Sequence, residues 1–159
     1  MTAVGLVEGL TQRGWSLALA ESCTGGLIAS AVTEVPGSSA VFGLGVVSYS
    51  NEIKQQILKV PTALLRDHGA VSEACVMAML DGVGKLSEAT LCAAVTGIAG
   101  PGGATPGKPV GTVWTAISHG PARWVSVHRF EGNRSVVRRQ TVDAVVGGLL
   151  SVMRGVSPW

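Results

Sequence analysis

Leu91 to Val95 (LCAAV) carries no polar or charged side chain and no turn residue. A short apolar run of this kind reads as a strand buried on both faces, because a one-sided strand alternates apolar with polar residues. Such a strand needs a layer of structure above it and another below. Two further runs, Trp15–Ala20 (WSLALA) and Gly45–Tyr49 (GVVSY), have a similar character. The stretches between them carry helical signals. Ala3–Arg13 is periodic and stops at Gly14, and LIASAVTEV follows Gly26 until Pro36-Gly37-Ser38-Ser39 breaks it. Ser50-Asn51 can cap a helix from Glu52 to about Leu58. Thr62–His68 offers one or two turns, and Ser72-Glu73 opens a longer helix with Val76, Met77, Leu80 and Val83 on one side. Thr112–Ile117 and Trp124–Phe130 then flank the turn signal His119-Gly120-Pro121, which predicts a hairpin. Ser135 to about Val152 closes the chain as a helix. The expected fold is one α/β domain over residues 1–159. It has three layers, α/β/α, with a mixed, mostly parallel sheet and a hairpin in the C-terminal half.

Composition narrows the functional classes. The chain is 47% hydrophobic and 14% charged, enough apolar content to fill a core. Its 12 basic and 10 acidic residues form no basic run, so no nucleic-acid footprint is expected. No apolar stretch approaches the ~20 residues that span a bilayer, so no membrane association is expected either. Met1–Gly14 carries Glu8 inside its apolar stretch and does not read as a signal peptide. Cys23, Cys75 and Cys92 are odd in number and widely spaced, which argues against a disulfide frame or zinc knuckle and for a reducing, cytoplasmic setting. His68, His119 and His128 have no metal-ligand spacing. Neither a metal nor a cofactor is expected. The high apolar fraction and four tryptophans suggest a homo-oligomer, with a dimer the simplest form.

Polar residues and glycines interrupt the apolar chain in three places, each just after a predicted strand. The first is Glu21-Ser22-Cys23-Thr24-Gly25-Gly26. Open α/β sheets place their sites at the carboxyl ends of strands. A helix start there offers free N–H groups to an anion, and Gly25 and Gly26 let a ligand approach the backbone. Ser22 or Thr24 serves equally well as a helix cap. Cys23 is a lesser candidate nucleophile, since a helix N-terminus lowers a thiol pKa. The second segment is Ser48-Tyr49-Ser50-Asn51-Glu52-Ile53-Lys54. A lysine on the first turn opposes the helix dipole, as expected of a lysine that must lose its proton to act as a base; a solvated surface lysine fits the same pattern. The third, Thr96-Gly97-Ile98-Ala99-Gly100 through Gly111, can wrap a phosphate with main-chain N–H groups or serve as a long structural loop. Gly102, Gly107 and Lys108 fit G-x-x-x-x-G-K, but Pro109 follows where Ser or Thr is needed, and a strand follows in place of a helix. Finally, Arg134 and Arg138 share a helix face and can clamp a phosphate or form a solvated basic face.

Taken in order, AESCTGGLIA (20–29), PGSSAVF (36–42), GVVSYSNEIK (45–54), HGAVSE (68–73), VTGIAGPGG (95–103), KPVGTVW (108–114) and the 132–139 stretch resemble the CinA C-terminal domain, or nicotinamide-nucleotide amidohydrolase, family. The resemblance implies hydrolysis of the carboxamide of nicotinamide mononucleotide to nicotinic acid mononucleotide and ammonia, in pyridine nucleotide recycling and without a metal. It implies a Ser/Lys pair, carried onto Ser22 as nucleophile and Lys54 as base, with Ser39 as the competing serine. Tyr49 and Thr96 would position substrate or oxyanion. Glu21, Thr24, Gly25, Gly26, Gly97 and Gly100 would line the substrate site, and Arg134 and Arg138 would take the phosphate. Asn133 stands where the family often has Asp, which bears on the arginine pair. A catalytically silent nucleotide-binding relative, or an amidohydrolase for another nucleotide amide, are the alternatives.

Overall fold

A computed structural model describes residues 2–159. Six α-helices and five strands follow in the order α1 (Ala3–Arg13), β1 (Leu17–Glu21), α2 (Leu27–Thr33), β2 (Phe42–Val47), α3 (Asn51–Gln56), α4 (Thr62–His68), α5 (Glu73–Ser87), β3 (Leu91–Gly97), β4 (Thr112–His119), β5 (Ala122–Arg129) and α6 (Arg134–Met153), with a 3-10 turn at Ser38–Ala40 before β2. The strands form one sheet in the order β2-β1-β3-β4-β5. β1 pairs in parallel with β2 and β3, while β4 runs antiparallel to both β3 and β5. Four strands therefore point one way and β4 points back, giving the expected mixed sheet with its hairpin.

β1 and β3 are central and buried along their length, apart from half-buried Gly97. Their alternate side chains serve two cores. Leu17, Leu19, Leu91, Ala93 and Val95 pack with α1, α2 and α6. Ala18, Ala20, Cys92 and Ala94 face α5 and the segment after α3. The small residues on this second face let α5 lie close. At Gly82 the approach is closer still: a Cβ there would meet the Leu58 carbonyl oxygen at 2.2 Å. None of the described helices is long and apolar enough to cross a membrane.

Local chemistry fixes most helix starts. Thr2, Ser50, Ser72 and Asn133 each accept a main-chain N–H through a side-chain oxygen at the N-caps of α1, α3, α5 and α6. Gly14 ends α1 in the left-handed region at φ 63°. β2 departs from expectation. It begins at Phe42 and ends at Val47, so Tyr49 lies beyond it. As an edge strand it alternates between half-buried and exposed residues, with Gly43 and Gly45 among the exposed ones, which hides its first half from an apolar-run search.

The sheet's register gathers the segments that matter. Glu21, the last residue of β1, pairs with Val47 at the end of β2 and with Val95 near the end of β3. β5 points the same way and feeds the N-terminus of α6 to this edge. The chain segments after β1, β2, β3 and β5 thus meet at one rim of the sheet.

Candidate active site

At that rim lies a cavity of about 260 Å³, walled by Ser22, Cys23, Tyr49, Asn51, Lys54, Ala70, Val71, Thr96, the 97–103 loop and Arg134. Ser22 sits on the bend after β1, with its N–H donated to Val95 O at 3.1 Å. Lys54 is 1% exposed. Its Nζ lies 3.0 Å from Ser22 Oγ, 2.8 Å from the Ser48 carbonyl oxygen and 3.2 Å from the Tyr49 carbonyl oxygen. No carboxylate pairs with it among the described residues. Burial without a counter-ion pushes its amine below the ordinary lysine range. The sequence alone also allowed a solvated lysine; the fold turns the side chain inward because α3 begins beside the bend that carries Ser22.

Glu21 and Ser22 are neighbours with opposite orientations. Glu21 is 1% exposed and turned into α2. Its Oε2 accepts the Thr24 hydroxyl at 2.6 Å, Gly26 N–H at 3.0 Å and Ile28 N–H at 3.1 Å, and its Oε1 accepts Ala29 N–H at 2.8 Å. This carboxylate occupies the α2 N-terminus, so that terminus has little left for a substrate anion. Thr24 and Gly26 are tied to Glu21, and Gly25, though exposed, donates its N–H to Ser22 O at 3.0 Å. Gly25 and Gly26 are needed for their backbone, at φ 60° and 96°. None of Glu21, Thr24, Gly25 and Gly26 lines the cavity.

Ser39 is placed elsewhere. It is exposed in the 3-10 turn that leads into β2, at the strand's beginning, whereas Ser22 and Lys54 stand past strand ends at the other rim. Cys23 does line the cavity, but burial pushes its thiol up to about 11, the reverse of activation by a helix terminus. Thr96 lines the cavity with its hydroxyl proton given to the Ala70 carbonyl at 2.8 Å. It therefore anchors the 70–71 segment and keeps acceptor capacity toward the cavity.

The two arginines separate. Arg134 is exposed at the mouth, donating to Gly100 O at 2.7 Å and to the Tyr49 hydroxyl at 2.8 Å. Arg138, one turn further along α6, passes behind the Ser22–Gly26 turn and donates to Thr24 O at 2.7 Å. It is not part of the cavity wall. Asn133 caps α6 by accepting Val136 N–H at 3.1 Å, a service that Asp performs equally well. Asn51 lies in the second polar segment, and Ala70 and Val71 lie in HGAVSE, but the sequence did not single out any of the three as wall residues.

A larger hollow of about 460 Å³ lies at the opposite rim, between the end of α5 and the β4–β5 turn. Its Arg123 and Asp81 are paired with each other, and burial pushes up the Cys92 thiol in its wall.

Comparison with known proteins follows the same line. The CinA C-terminal domain model matches residues 2–153. The nicotinamide-nucleotide amidohydrolase PncC of Pseudomonas putida is 48% identical over 150 residues, covering 94% of each chain. A CinA-like protein of Thermotoga neapolitana is 48% identical over 139 residues, 86% of this chain but 33% of its own length. The chain thus spans about a third of such CinA-like relatives. Among solved structures, a competence-damaged protein (CinA) superfamily protein from Klebsiella pneumoniae superposes with a TM-score of 0.93 at 37% identity, covering 96% of both chains. The competence/damage inducible protein of Agrobacterium tumefaciens gives 0.91 at 39% identity, over 96% of this chain and 93% of that one. The chain belongs to the CinA C-terminal domain family.

Proposed function

We propose that this protein is an amidohydrolase that converts nicotinamide mononucleotide to nicotinic acid mononucleotide and ammonia, with Ser22 as nucleophile and Lys54 as general base and acid. The Pseudomonas putida relative, a nicotinamide-nucleotide amidohydrolase, supports the substrate. The observation that carries the mechanism is the contact of a buried, unpaired lysine amine with Ser22 Oγ at 3.0 Å. When Lys54 is neutral, its two N–H bonds are occupied by the carbonyls of Ser48 and Tyr49. The lone pair is then left facing the Ser22 hydroxyl, which donates to it.

Ser22 Oγ bonds to the carboxamide carbon as its proton moves to Lys54 Nζ. The tetrahedral adduct expels the amide nitrogen, which takes that proton and leaves as ammonia. Water then attacks the acyl-enzyme, giving its proton to Lys54, and Ser22 leaves with that proton restored. Arg134, the one arginine in the cavity wall, supplies the phosphate contact, and exchanges its hold on Gly100 and Tyr49 for the phosphate oxygens. Buried free cysteines support a reducing, cytoplasmic setting, and the product supports a place in pyridine nucleotide recycling.

The test is ammonia release from nicotinamide mononucleotide by purified protein with a chelator present, followed across pH. The expected result is turnover whose kcat rises with pH as Lys54 loses its proton, with the midpoint below the ordinary lysine range. Absence of ammonia with and without added divalent metal would remove this substrate.

A further inference from the structure

Arg138 stands apart from the groups used so far. It is half-buried on α6, it pairs with no carboxylate among the described residues, and its Nε is shielded from solvent with no partner. A cation held this way is costly, so its placement calls for a reason. Its guanidinium Nη2 meets the Thr24 carbonyl at 2.7 Å, and a Cβ at Gly25 would stand 3.4 Å from the same atom. Thr24 O also accepts the Leu27 N–H at 3.2 Å. The turn that carries Ser22 is therefore gripped from two sides. Glu21 collects its donors, and Arg138 takes its carbonyl.

We propose that Arg138 is a positioning residue for the nucleophile: it fixes the Ser22–Gly25 turn through the Thr24 carbonyl, and it does not bind the substrate's phosphate. The Glu21 carboxylate grips the same turn, so the part of Arg138 is geometric: it holds the turn so that Ser22 keeps its place for attack. Arg134 and Arg138 thus divide what a two-arginine clamp would have shared. One recognises substrate at the mouth, and the other holds the reacting group from behind.

This inference rests on the amidohydrolase reading, so the experiment separates the two. Steady-state rates are measured for wild type, R138M, R138K and R134M on nicotinamide mononucleotide and on its riboside, which lacks the phosphate. R138M is expected to lose kcat on the order of 10²-fold on both substrates, with KM little changed, because a small misplacement of the attacking atom suffices for such a loss. R138K, which keeps the charge, is expected to recover part of it. R134M is expected to raise KM for the mononucleotide about 10- to 100-fold and to raise it much less for the riboside. The proposal is overturned if R138M keeps wild-type kcat, or if its defect is one of KM that disappears with the riboside. Should R138M fail to fold, as judged by its melting curve, R138K carries the same comparison. Should wild type release no ammonia, the amidohydrolase reading fails alone. The rate at which a fluorophosphonate labels Ser22 then tests positioning, with slower labelling in R138K expected and an equal rate overturning it.

Discussion

Two junctions at one rim of the sheet each bury a charged residue, and they do so in opposite ways. Where β1 gives way to α2, Glu21 is enclosed by four donors, three of them main-chain N–H groups. Where β2 gives way to α3, Lys54 meets two carbonyls and a hydroxyl and no carboxylate. The first arrangement suits a charged group and makes it structural. The second makes the charged form uncomfortable and the neutral amine serviceable. Depth of burial is the same for both, at 1% exposure, so burial alone does not mark a reactive group. What decides is whether the partners match the charge.

This contrast can be broken most severely at the reacting pair. Lys54→Ala and Ser22→Ala should each lower kcat by about 10³-fold or more, with substrate still bound, since the pair acts as a unit. Near-normal turnover in either, measured by ammonia release, would end the assignment. Next in size is Glu21→Gln. An amide presents a donor to a pocket that holds only donors, so stability should fall on the order of 3 kcal/mol, or roughly 10 °C in melting temperature. An unchanged melting curve would show that the four contacts do not hold α2 as described.

A smaller effect of opposite sign is expected from Lys54→Met. Folding depresses the lysine pKa, so below the ordinary lysine range the unfolded chain binds the proton more readily, and lowering the pH weakens the fold. Methionine removes that penalty. The variant should melt a few degrees higher at neutral pH, by about 1–2 kcal/mol, and the gain should shrink as pH rises into the lysine range. A gain independent of pH would mean that the amine is not depressed. The smallest effect belongs to Ser39→Ala, which should leave turnover within about twofold, as most exposed substitutions away from a site do. A deep loss there would place Ser39 in the chemistry.

Much of the fold was legible because its physics is local. Leu91–Val95 and Trp15–Ala20 are apolar since both faces of the central strands are covered, and glycines and caps mark the helix ends. β2 was half hidden because an edge strand has no such need. The site was legible as segments but not as side chains. A run such as Glu21-Ser22-Cys23-Thr24 gives four neighbours with four different surroundings, and only the sheet's register and the α2 axis decide which one faces the cavity. Ser39 drew attention through the family motif around it, yet the start of β2 lies a strand's length from its end. Arg138 finds its partner 114 residues away, beyond any spacing rule.

α6 has a consequence for when the protein can act. Its first turns hold the cavity mouth through Arg134 and the Ser22 turn through Arg138, and further along its length it packs on α1. Ser22, Lys54 and the strands that bear them are all made within the first 97 residues, but α6 starts at residue 134. A ribosome therefore releases the reacting pair well before the helix that braces it. The proposed pair thus emerges without its brace, and α6 completes the rim by packing back against α1.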